Sequence, residues 1–288
     1  MSKNSLWQKV AGCLTVAGSL AFSHGASAAE VALFFNDQYV DTAPDDCGSE
    51  ANNLIVSIES FGGNTVTTFT GITAADFSAA VEDRNPLVIP EFNAGLNLDL
   101  DDAARQAIAD FVDQGGRLIL FGEDSAALID FFDDVFGITV NVSSSPDTST
   151  KTAEAAGTIF ADGPASIPYN DGTAYIQDSS LPAEAINVYS YNNGSEDFAV
   201  VAIFPFGSGD IIFLGWDWYS SGPGAGDNTE CEGPQDGGWQ DLLATAVETV
   251  PVPTPTPTPS PTATPTPTPT PTPPIQIGGG GCSLQVGR

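Results

Sequence analysis

Short, unbroken apolar runs alternate with amphipathic stretches over the first half of the chain. Residues 31–35, 87–89 and 117–121 lack the two-residue alternation of a half-buried strand, which is typical of strands buried on both faces of a parallel sheet. Apolar positions at helical spacing, with polar caps before them and glycines after them, predict helices between these runs. The predicted helices lie near 49–62, 73–82, 101–115, 125–137 and 238–247, and short strand candidates lie at 66–69 and 138–142.

The second half of the domain has a different pattern. Residues 199–204 and 211–216 form a predicted hairpin joined through Gly207-Ser208-Gly209-Asp210. Residues 143–193 are polar loops with strand-like pieces, which leaves two interpretations open, an insertion or a β-rich extension of the sheet. Because strands and helices alternate with short connections, we expect an α/β three-layer sandwich with a mainly parallel sheet.

Three segments, taken in their order along the chain, carry a resemblance to a known fold. They read Asn-Pro-Leu-Val-Ile-Pro at 85–90, Gly-Gly-Arg-Leu-Ile-Leu-Phe-Gly at 115–122 and Gly-Ser-Gly-Asp-Ile-Ile-Phe-Leu-Gly at 207–215. In this order they resemble the class I glutamine amidotransferase-like (flavodoxin-like) fold over most of residues 31–247. Relatives that are not amidotransferases use this fold widely, so the resemblance implies a fold and not an activity.

The catalytic residues of that family do not occur in this chain. The family's enzymes use a cysteine on a strand-to-helix elbow, activated by histidine, whereas Gly122-Glu123-Asp124-Ser125 occupies the comparable turn here. The single histidine is His24, in a predicted leader. Amidotransferase activity, Ser-His-Asp triads and typical zinc sites are therefore excluded for the mature chain. No Gly-x-Gly-x-x-Gly follows the first strand, and no P-loop is present.

Residues 1–28 have the three parts of a secretory signal peptide. Lys3 and Lys9 flank a polar start, an apolar run of about thirteen residues follows, and Ala26-Ser27-Ala28 offers a cleavage site. The run is too short for a bilayer core of about 30 Å, so we expect export without insertion of the mature domain in a membrane. An alternative is a lipoprotein signal acylated at Cys13, although little apolar sequence precedes that cysteine.

The sequence predicts a globular domain at 29–250 and a different composition beyond it. Alternating proline and threonine at 251–274 predict an extended spacer of about 75 Å. The tail at 275–288, Gly-rich and carrying Cys282, resembles the Gly-rich, single-cysteine tails of bacterial surface-sorted proteins, which continue into an apolar helix and a basic cluster. A truncated sorting tail anchored through Cys282 and a flexible end with a free thiol both remain open.

The mature chain is strongly acidic. Five basic residues stand against thirty-seven carboxylates, a net charge of about −32. Nucleic acids and anionic membrane surfaces need a cationic footprint, so both are excluded as partners. The acidity by itself is explained by solubility in a salty exterior.

Two cysteines fall in loops that leave strands. Cys47 follows the first predicted strand and Cys231 follows the last strand of the hairpin. The carboxyl ends of parallel strands share one sheet edge, and export favours oxidation, so we predict a Cys47–Cys231 disulfide. Hard oxygen ligands are dense around both cysteines, which leaves two interpretations, a Ca²⁺ site without EF-hand spacing and solvated acidic loops. The candidate calcium ligands are Asp41, Asp45, Asp46, Asp227 and Glu230.

Acidic residues also follow the predicted strands directly. The candidates for acid and base catalysis are Asp37, Glu91, Glu123 and Asp217, accompanied by Asn36 and Asp124. This is the edge where doubly wound sheets place ligands, and paired carboxylates there suit glycoside hydrolysis. The alternative role of Asp124 is a helix N-cap, and that of Asp37 is a turn residue.

Trp218 and Tyr219, at the end of the last strand, are candidates for stacking on sugar rings if they are exposed, and they are core residues if they are buried. Two functions follow from these patterns. The first is a secreted or surface-tethered, non-catalytic binding or structural module of bacterial type, with an extracellular glycan or a surface protein as its partner. The alternative is an extracellular hydrolase, directed at glycosides, that uses a carboxylate pair. A concave pocket with two facing carboxylates among the four catalytic candidates would favour the enzyme.

Overall fold

Strands and helices alternate from Glu30 to Phe136, as the apolar runs predict. These elements are β1 (Glu30–Phe34), α1 (Glu50–Ser60), β2 (Thr65–Phe69), α2 (Ala74–Val81), β3 (Leu87–Ile89), α3 (Leu96–Asp99), α4 (Asp102–Asp113), β4 (Arg117–Phe121) and α5 (Ala126–Phe136). The computed structural model describes residues 28–43, 49–122, 126–144, 146–219, 221, 236–248, 285 and 287. The chain divides into two compact units, Met1–Pro253 and Thr254–Arg288.

The rest of the first unit is rich in strands. It contains β5 (Val142–Ser144), β6 (Ser149–Lys151), β7 (Ser166–Ile167), β8 (Ala174–Gln177), β9 (Ile186–Asn192), β10 (Asp197–Phe206), β11 (Gly209–Leu214) and α6 (Trp239–Glu248). Within the described ranges, no helix combines the length and the apolar character needed to cross a membrane.

One sheet contains all the described strands, and it is mixed. Along the path β2-β1-β3-β4-β11, neighbouring strands are parallel. Beyond β11 the sheet continues with antiparallel pairs, in the order β10, β9, β6 and β7. In addition, β8 pairs with β10, and β5 pairs with β8. The prediction of a mainly parallel sheet thus holds for one half, and residues 143–193 supply an extension of the same sheet.

Local sequence signals explain the helix boundaries. Asp101 caps α4, because its Oδ1 accepts a hydrogen bond from the Ala104 amide at 2.8 Å, and Gly115, with a φ of 108°, follows the end of the helix. Thr73 and Asp76 form a capping box at the start of α2. The strand predicted at 138–142 is wrong in position, since regular pairing begins at Val142. Val140 is apolar because its side chain lies in the core, outside any strand.

The centre of the parallel half is fully apolar. Val31, Val88, Ile119 and Ile212 have no solvent exposure, as expected for strands covered on both faces. Arg117 is the exception at the amino end of β4. Its guanidinium makes a bidentate pair with Asp210 at 2.7 and 2.8 Å and donates to the Ala246 oxygen at 2.8 Å, which joins β4, β11 and α6.

Candidate functional site

Three buried carboxylates converge at the carboxyl edge of the parallel strands. Glu50 is the first residue of α1, Glu91 follows β3 by two residues, and Asp217 follows β11 by three. One oxygen of each lies within 4.8 Å of the others. Their exposed fractions are 7%, 5% and 6%. We call these three residues the carboxylate cluster.

The cluster lies where the chain direction across the sheet changes. From β1 the chain moves outward to β2, then returns to β3 on the other side of β1. Glu50 belongs to the first connection and Glu91 follows β3. In open parallel sheets, the crevice at such a switch point is the usual place for a ligand.

Close backbone packing holds Asp217. Its Oδ1 accepts a hydrogen bond from the Tyr219 amide at 2.8 Å. Gly172, with a φ of 75°, lies so near that a Cβ there would come 1.6 Å from Asp217 Oδ2. Only glycine fits this position, and the loop that carries it closes over the carboxylate.

A second set of contacts joins the segment of Asp217 to α1. Trp218 has a φ of 76°, unusual for a residue with a side chain, and its indole is fully buried. The indole Nε1 donates to Ser57 Oγ at 3.1 Å, and the Trp218 oxygen accepts from Asn53 Nδ2 at 3.0 Å. Gln240 Nε2 also donates to Ser57 Oγ, at 3.2 Å. These bonds fix the position of α1, and hence of Glu50, relative to Asp217.

The three carboxylates of the cluster are close enough to interact electrostatically. Three carboxylates at this separation, away from water, repel one another when they are ionised, and a bound cation would offset this repulsion. Two oxygens bound to one Ca²⁺ at 2.3–2.6 Å are at most about 5 Å apart, so the cluster fits three of the six to eight ligands of that ion. The amino end of α1 additionally favours negative charge at Glu50.

A buried phenol lies in the connection between β1 and α1. Tyr39 donates from its hydroxyl to Asp99 Oδ2 at 2.7 Å, and its main-chain oxygen accepts from the Asn93 amide, two residues beyond Glu91. Burial, reinforced by the Asp99 carboxylate, raises the pKa of Tyr39 to about 12. The phenol is neutral at physiological pH, so it fastens this connection as a hydrogen-bond donor.

The structure brings together two of the four catalytic candidates. Glu91 and Asp217 meet in the cluster, whereas Asp37 is exposed in a turn. The neighbouring Asn36 forms that turn, since its Oδ1 accepts from the Gln38 amide and its Nδ2 donates to the Thr70 oxygen. Glu123 and Asp124 lie outside the described residues.

Sequence reasoning missed Glu50. An acidic residue in the first turn of a helix is explained by the helix dipole alone, so it did not stand out. The signal that identifies it is its place in the chain. The helix that it opens follows a buried parallel strand, and this puts Glu50 at the same sheet edge as Glu91 and Asp217.

Of the five candidate calcium ligands, only Asp41 is described. Its Oδ1 accepts from the Ala43 amide and its main-chain oxygen from the Ala51 amide, next to Glu50. Asp45, Asp46, Asp227 and Glu230 lie outside the described residues, as do Cys47, Cys231 and Cys282.

Of the two alternatives for Trp218, stacking on a ligand and packing in the core, the structure shows the second, since its side chain is fully buried. Its left-handed backbone turns the ring inward, where it packs at 4.6 Å from the ring of Trp216 and at 5.3 Å from that of Phe121. Tyr219, the other stacking candidate, is half-buried. The role of Trp218 is to hold the segment that carries Asp217.

Each basic side chain of the described residues donates to at least one backbone oxygen, and Arg105 and Arg117 also pair with carboxylates. Arg84 donates to Ala80, Arg105 to Asn97, Arg117 to Ala246, and Lys151 to both Ala161 and Gly163. Within the described part of the chain, no basic side chain is therefore without a protein partner and available to bind a phosphate or a sulfate.

Comparisons with known proteins give similarity of fold alone. No protein-family model matches the chain, and no curated protein matches it. A ThuA-like protein of Bacteroides uniformis superposes with a TM-score of 0.51 at 15% identity, over 80% of this chain and 94% of that one. A cytoplasmic protein of Salmonella typhimurium superposes with a TM-score of 0.50 at 13% identity, over 76% of this chain and 99% of that one. These similarities support a mixed α/β fold.

Proposed function

We propose that this protein is an exported binding module, secreted or tethered to the surface of a bacterial cell, whose ligand-facing edge is held in place by calcium. The observation that carries the proposal is the convergence of Glu50, Glu91 and Asp217 at the carboxyl edge of the sheet. The predicted leader, the Pro-Thr spacer and the tail with Cys282 support export and display.

The fold that we propose is a three-layer sandwich of the glutamine amidotransferase-like type, without the catalytic cysteine and histidine. The strand order β2-β1-β3-β4-β11 is the flavodoxin-like order. The helices fall into two contact groups, α1 with α6, and α4 with α2 and α5. Placing one group on each face gives the three layers, and the similarity to the ThuA-like protein agrees with this arrangement.

Binding is favoured over catalysis by the enclosure of the cluster. Each carboxylate is at least nine-tenths buried, and the Gly172 loop packs directly on Asp217. A catalytic acid or base has to come within hydrogen-bond reach of its substrate. A cation between the three carboxylates needs no such access, and it would fasten the β1–α1, β3 and β11 connections to one another.

The proposed ligand face is the carboxyl edge of the parallel strands, where the carboxylate cluster lies. The sequence-based prediction that segments near Cys47 and Cys231 contribute to this face concerns residues outside the described ranges. The partner that suits the charge of the molecule is a glycan or a surface protein. The commitment of the described basic side chains to backbone oxygens argues against nucleic acid and other polyanions.

A second candidate is an extracellular hydrolase that uses Glu91 and Asp217. The observation in its favour is that these two carboxylates face each other, with oxygens within 4.8 Å, at the edge where doubly wound folds place ligands. This spacing is nearer to the separation of about 5–5.5 Å between the carboxyl groups of retaining glycosidases than to the about 6.5–9.5 Å of inverting ones. For this candidate the third carboxylate, Glu50, would supply the negative charge that keeps one partner protonated.

Thermal unfolding of the full chain, with calcium and with EDTA, tests the proposal. Calcium at a hundred times its dissociation constant stabilises by about 2.7 kcal/mol, which raises the midpoint by about 5–10 °C for a domain of this size. Glu91→Gln should abolish the shift. In EDTA it should unfold at a temperature equal to or above that of the wild type, because it removes one of three crowded charges.

The matched control is Glu59→Gln, an exposed carboxylate on α1, which should keep the full calcium response. A wild-type midpoint that is identical in calcium and EDTA would overturn the calcium site. Release of reducing ends from a neutral polysaccharide by the wild type, lost in Glu91→Gln, would establish the hydrolase instead.

A further inference from the structure

A shallow groove of about 370 Å³ lies on the antiparallel half of the sheet, away from the carboxylate cluster. This volume is within the range of small-molecule sites in proteins. The groove is lined by short polar side chains and by Tyr191. The polar side chains are Asp147, Thr148, Thr150, Ser190, Asn192 and Asp197.

Strand register places the groove residues side by side. Thr150 of β6 lies opposite Ser190 of β9, and Asn192 of β9 lies opposite Asp197 of β10. Ser190 and Asn192 are two residues apart, so both point to the same face of the sheet. The result is a continuous polar face across three strands, which carries hydroxyl, amide and carboxylate groups.

Local hydrogen bonds fix the orientation of these groups. Asn192 Nδ2 donates to Asp197 Oδ1 at 2.7 Å, and Asn192 Oδ1 accepts from the Gly194 amide at 2.7 Å. Asp147 Oδ1 accepts from the Thr148 amide at 2.6 Å. Because the acceptors are held in place before a ligand arrives, binding costs less side-chain entropy.

The charge of the groove is negative, since Asp147 and Asp197 line it without a basic partner among its lining residues. Lys151 follows Thr150 in β6, so its side chain points to the opposite face of the sheet from the groove. There its Nζ donates to the Ala161 and Gly163 oxygens at 2.7 Å. Phosphate, sulfate and uronate groups would be repelled. A neutral ligand rich in hydroxyl groups would not be repelled by these two carboxylates.

The groove exposes more polar than apolar surface. The ring of Tyr191 lies in register with Phe198 and stacks on it at 5.9 Å, with Tyr175 beside them, on the opposite face of the sheet from Ser190 and Asn192. Recognition in the groove therefore depends on hydrogen bonds. Carboxylate oxygens accept from hydroxyl donors, and the hydroxyl groups of threonine and serine both donate and accept.

We propose that this groove binds a neutral glycan, with Asp147 and Asp197 accepting from sugar hydroxyl groups and with Thr150 and Ser190 completing the hydrogen bonds. The site is distinct from the carboxylate cluster. The inference rests on the proposed function only in treating the protein as a binding module, and it does not require calcium at the cluster.

Affinity electrophoresis of the full chain tests this proposal, because an acidic protein migrates well in native gels. The probes are soluble neutral β-glucan, mannan, xylan and galactan, with polygalacturonate as the anionic comparison. At least one neutral polymer should retard the wild type. Asp197→Asn and Thr150→Ala should each weaken that retardation about tenfold. The matched controls, Asp83→Asn and Thr67→Ala, are exposed residues outside the groove and should behave as the wild type.

Three results would overturn the proposal. The first is the absence of retardation by all four neutral polymers. The second is equal retardation of the wild type and both groove variants, whose folding is checked by their melting temperatures. The third is retardation by polygalacturonate at least as strong as that by the neutral polymers. Glu91→Gln should bind the glycan normally, so a failed calcium site and a failed groove give different results.

Discussion

Asn53 Nδ2 donates to the main-chain oxygen of Trp218 at 3.0 Å, and this bond joins residues 165 positions apart. Asn53 lies one turn after Glu50 on α1, and Trp218 directly follows Asp217. Their bond, with the one from the Trp218 indole to Ser57, sets the distance between two members of the carboxylate cluster. Side chains away from the cluster therefore control its geometry.

Ser57→Ala should destabilise the protein markedly. Ser57 Oγ accepts from both Trp218 Nε1 and Gln240 Nε2, so its loss leaves two enclosed donors without that acceptor. We expect a decrease of about 2–3 kcal/mol in the free energy of unfolding, measured by urea denaturation. Ser60→Ala, on the exposed side of the same helix, is the control and should cost no more than about 0.5 kcal/mol. Equal effects of the two substitutions would contradict the role assigned to Ser57.

The protein should lose stability in strong alkali as Tyr39 ionises. Burial and Asp99 raise its pKa from about 10 to about 12 in the folded state, so the folded protein binds this proton more tightly than the unfolded chain does. The resulting stabilisation is fully present below pH 10 and is lost as the pH rises through about 12, with a total on the order of 2 kcal/mol. Tyr39→Phe should flatten this part of the stability profile.

Tyrosine absorbance provides an independent measurement of the same effect. Tyr189 is also buried, and this burial, with the charge of Asp241, raises its pKa to about 12. Of the six tyrosines, these two should ionise late in a spectrophotometric titration of the folded protein. A titration in which Tyr39→Phe removes an early-ionising tyrosine would contradict the assignment.

We predict a disulfide between Cys47 and Cys231. Cys47 lies three residues before Glu50 and Cys231 lies fourteen residues after Asp217. Peptide mapping without reduction should recover the two cysteines in one cross-linked peptide. In the chain-entropy model the bond stabilises by up to about 5 kcal/mol, so reduction should lower the melting temperature clearly. Cys282 should react with a thiol reagent before reduction. Recovery of Cys47 or Cys231 as an alkylated thiol under those conditions would refute the pairing.

Asp210→Asn should be among the most damaging single substitutions. It removes the carboxylate that pairs with the Arg117 guanidinium, whose side chain is 2% exposed, and it leaves a buried positive charge. Breaking such a pair costs about 3–5 kcal/mol. Asp113→Asn, an exposed acidic residue at the end of α4, is the comparison for chemical denaturation. A loss below about 1 kcal/mol in Asp210→Asn would show that the pair adds little.

Simple rules on the sequence were enough for the parallel half of the sheet. Buried runs such as 87–89 gave the strands, and caps such as Asp101 gave the helix starts. Glu91 and Asp217 were identified because the carboxyl ends of parallel strands share an edge. Their contact with Glu50 depends on how α1 packs against the segment of Asp217. The pattern of apolar and polar residues within a short stretch of sequence does not encode this packing.

The features that the sequence left undecided or misplaced have physical causes. The left-handed backbone of Trp218 carries no sequence signal, since such conformations are typical of glycine, and this backbone turns a candidate ligand-binding ring into the core. The short strands from Val142 to Lys151 pair with partners far along the chain, and their alternation is too brief to fix their positions.

The position of β11 between β4 and β10 determines when the domain can be completed. Because a chain is made from its amino end, β4 exists long before β11, and Arg117 precedes its partner Asp210 by 93 residues. Until β11 arrives, one edge of β4 exposes unpaired backbone groups beside an uncompensated charge, which is a surface prone to aggregation. A growing chain of this protein therefore keeps an open sheet edge at β4 until nearly the whole domain has been synthesised.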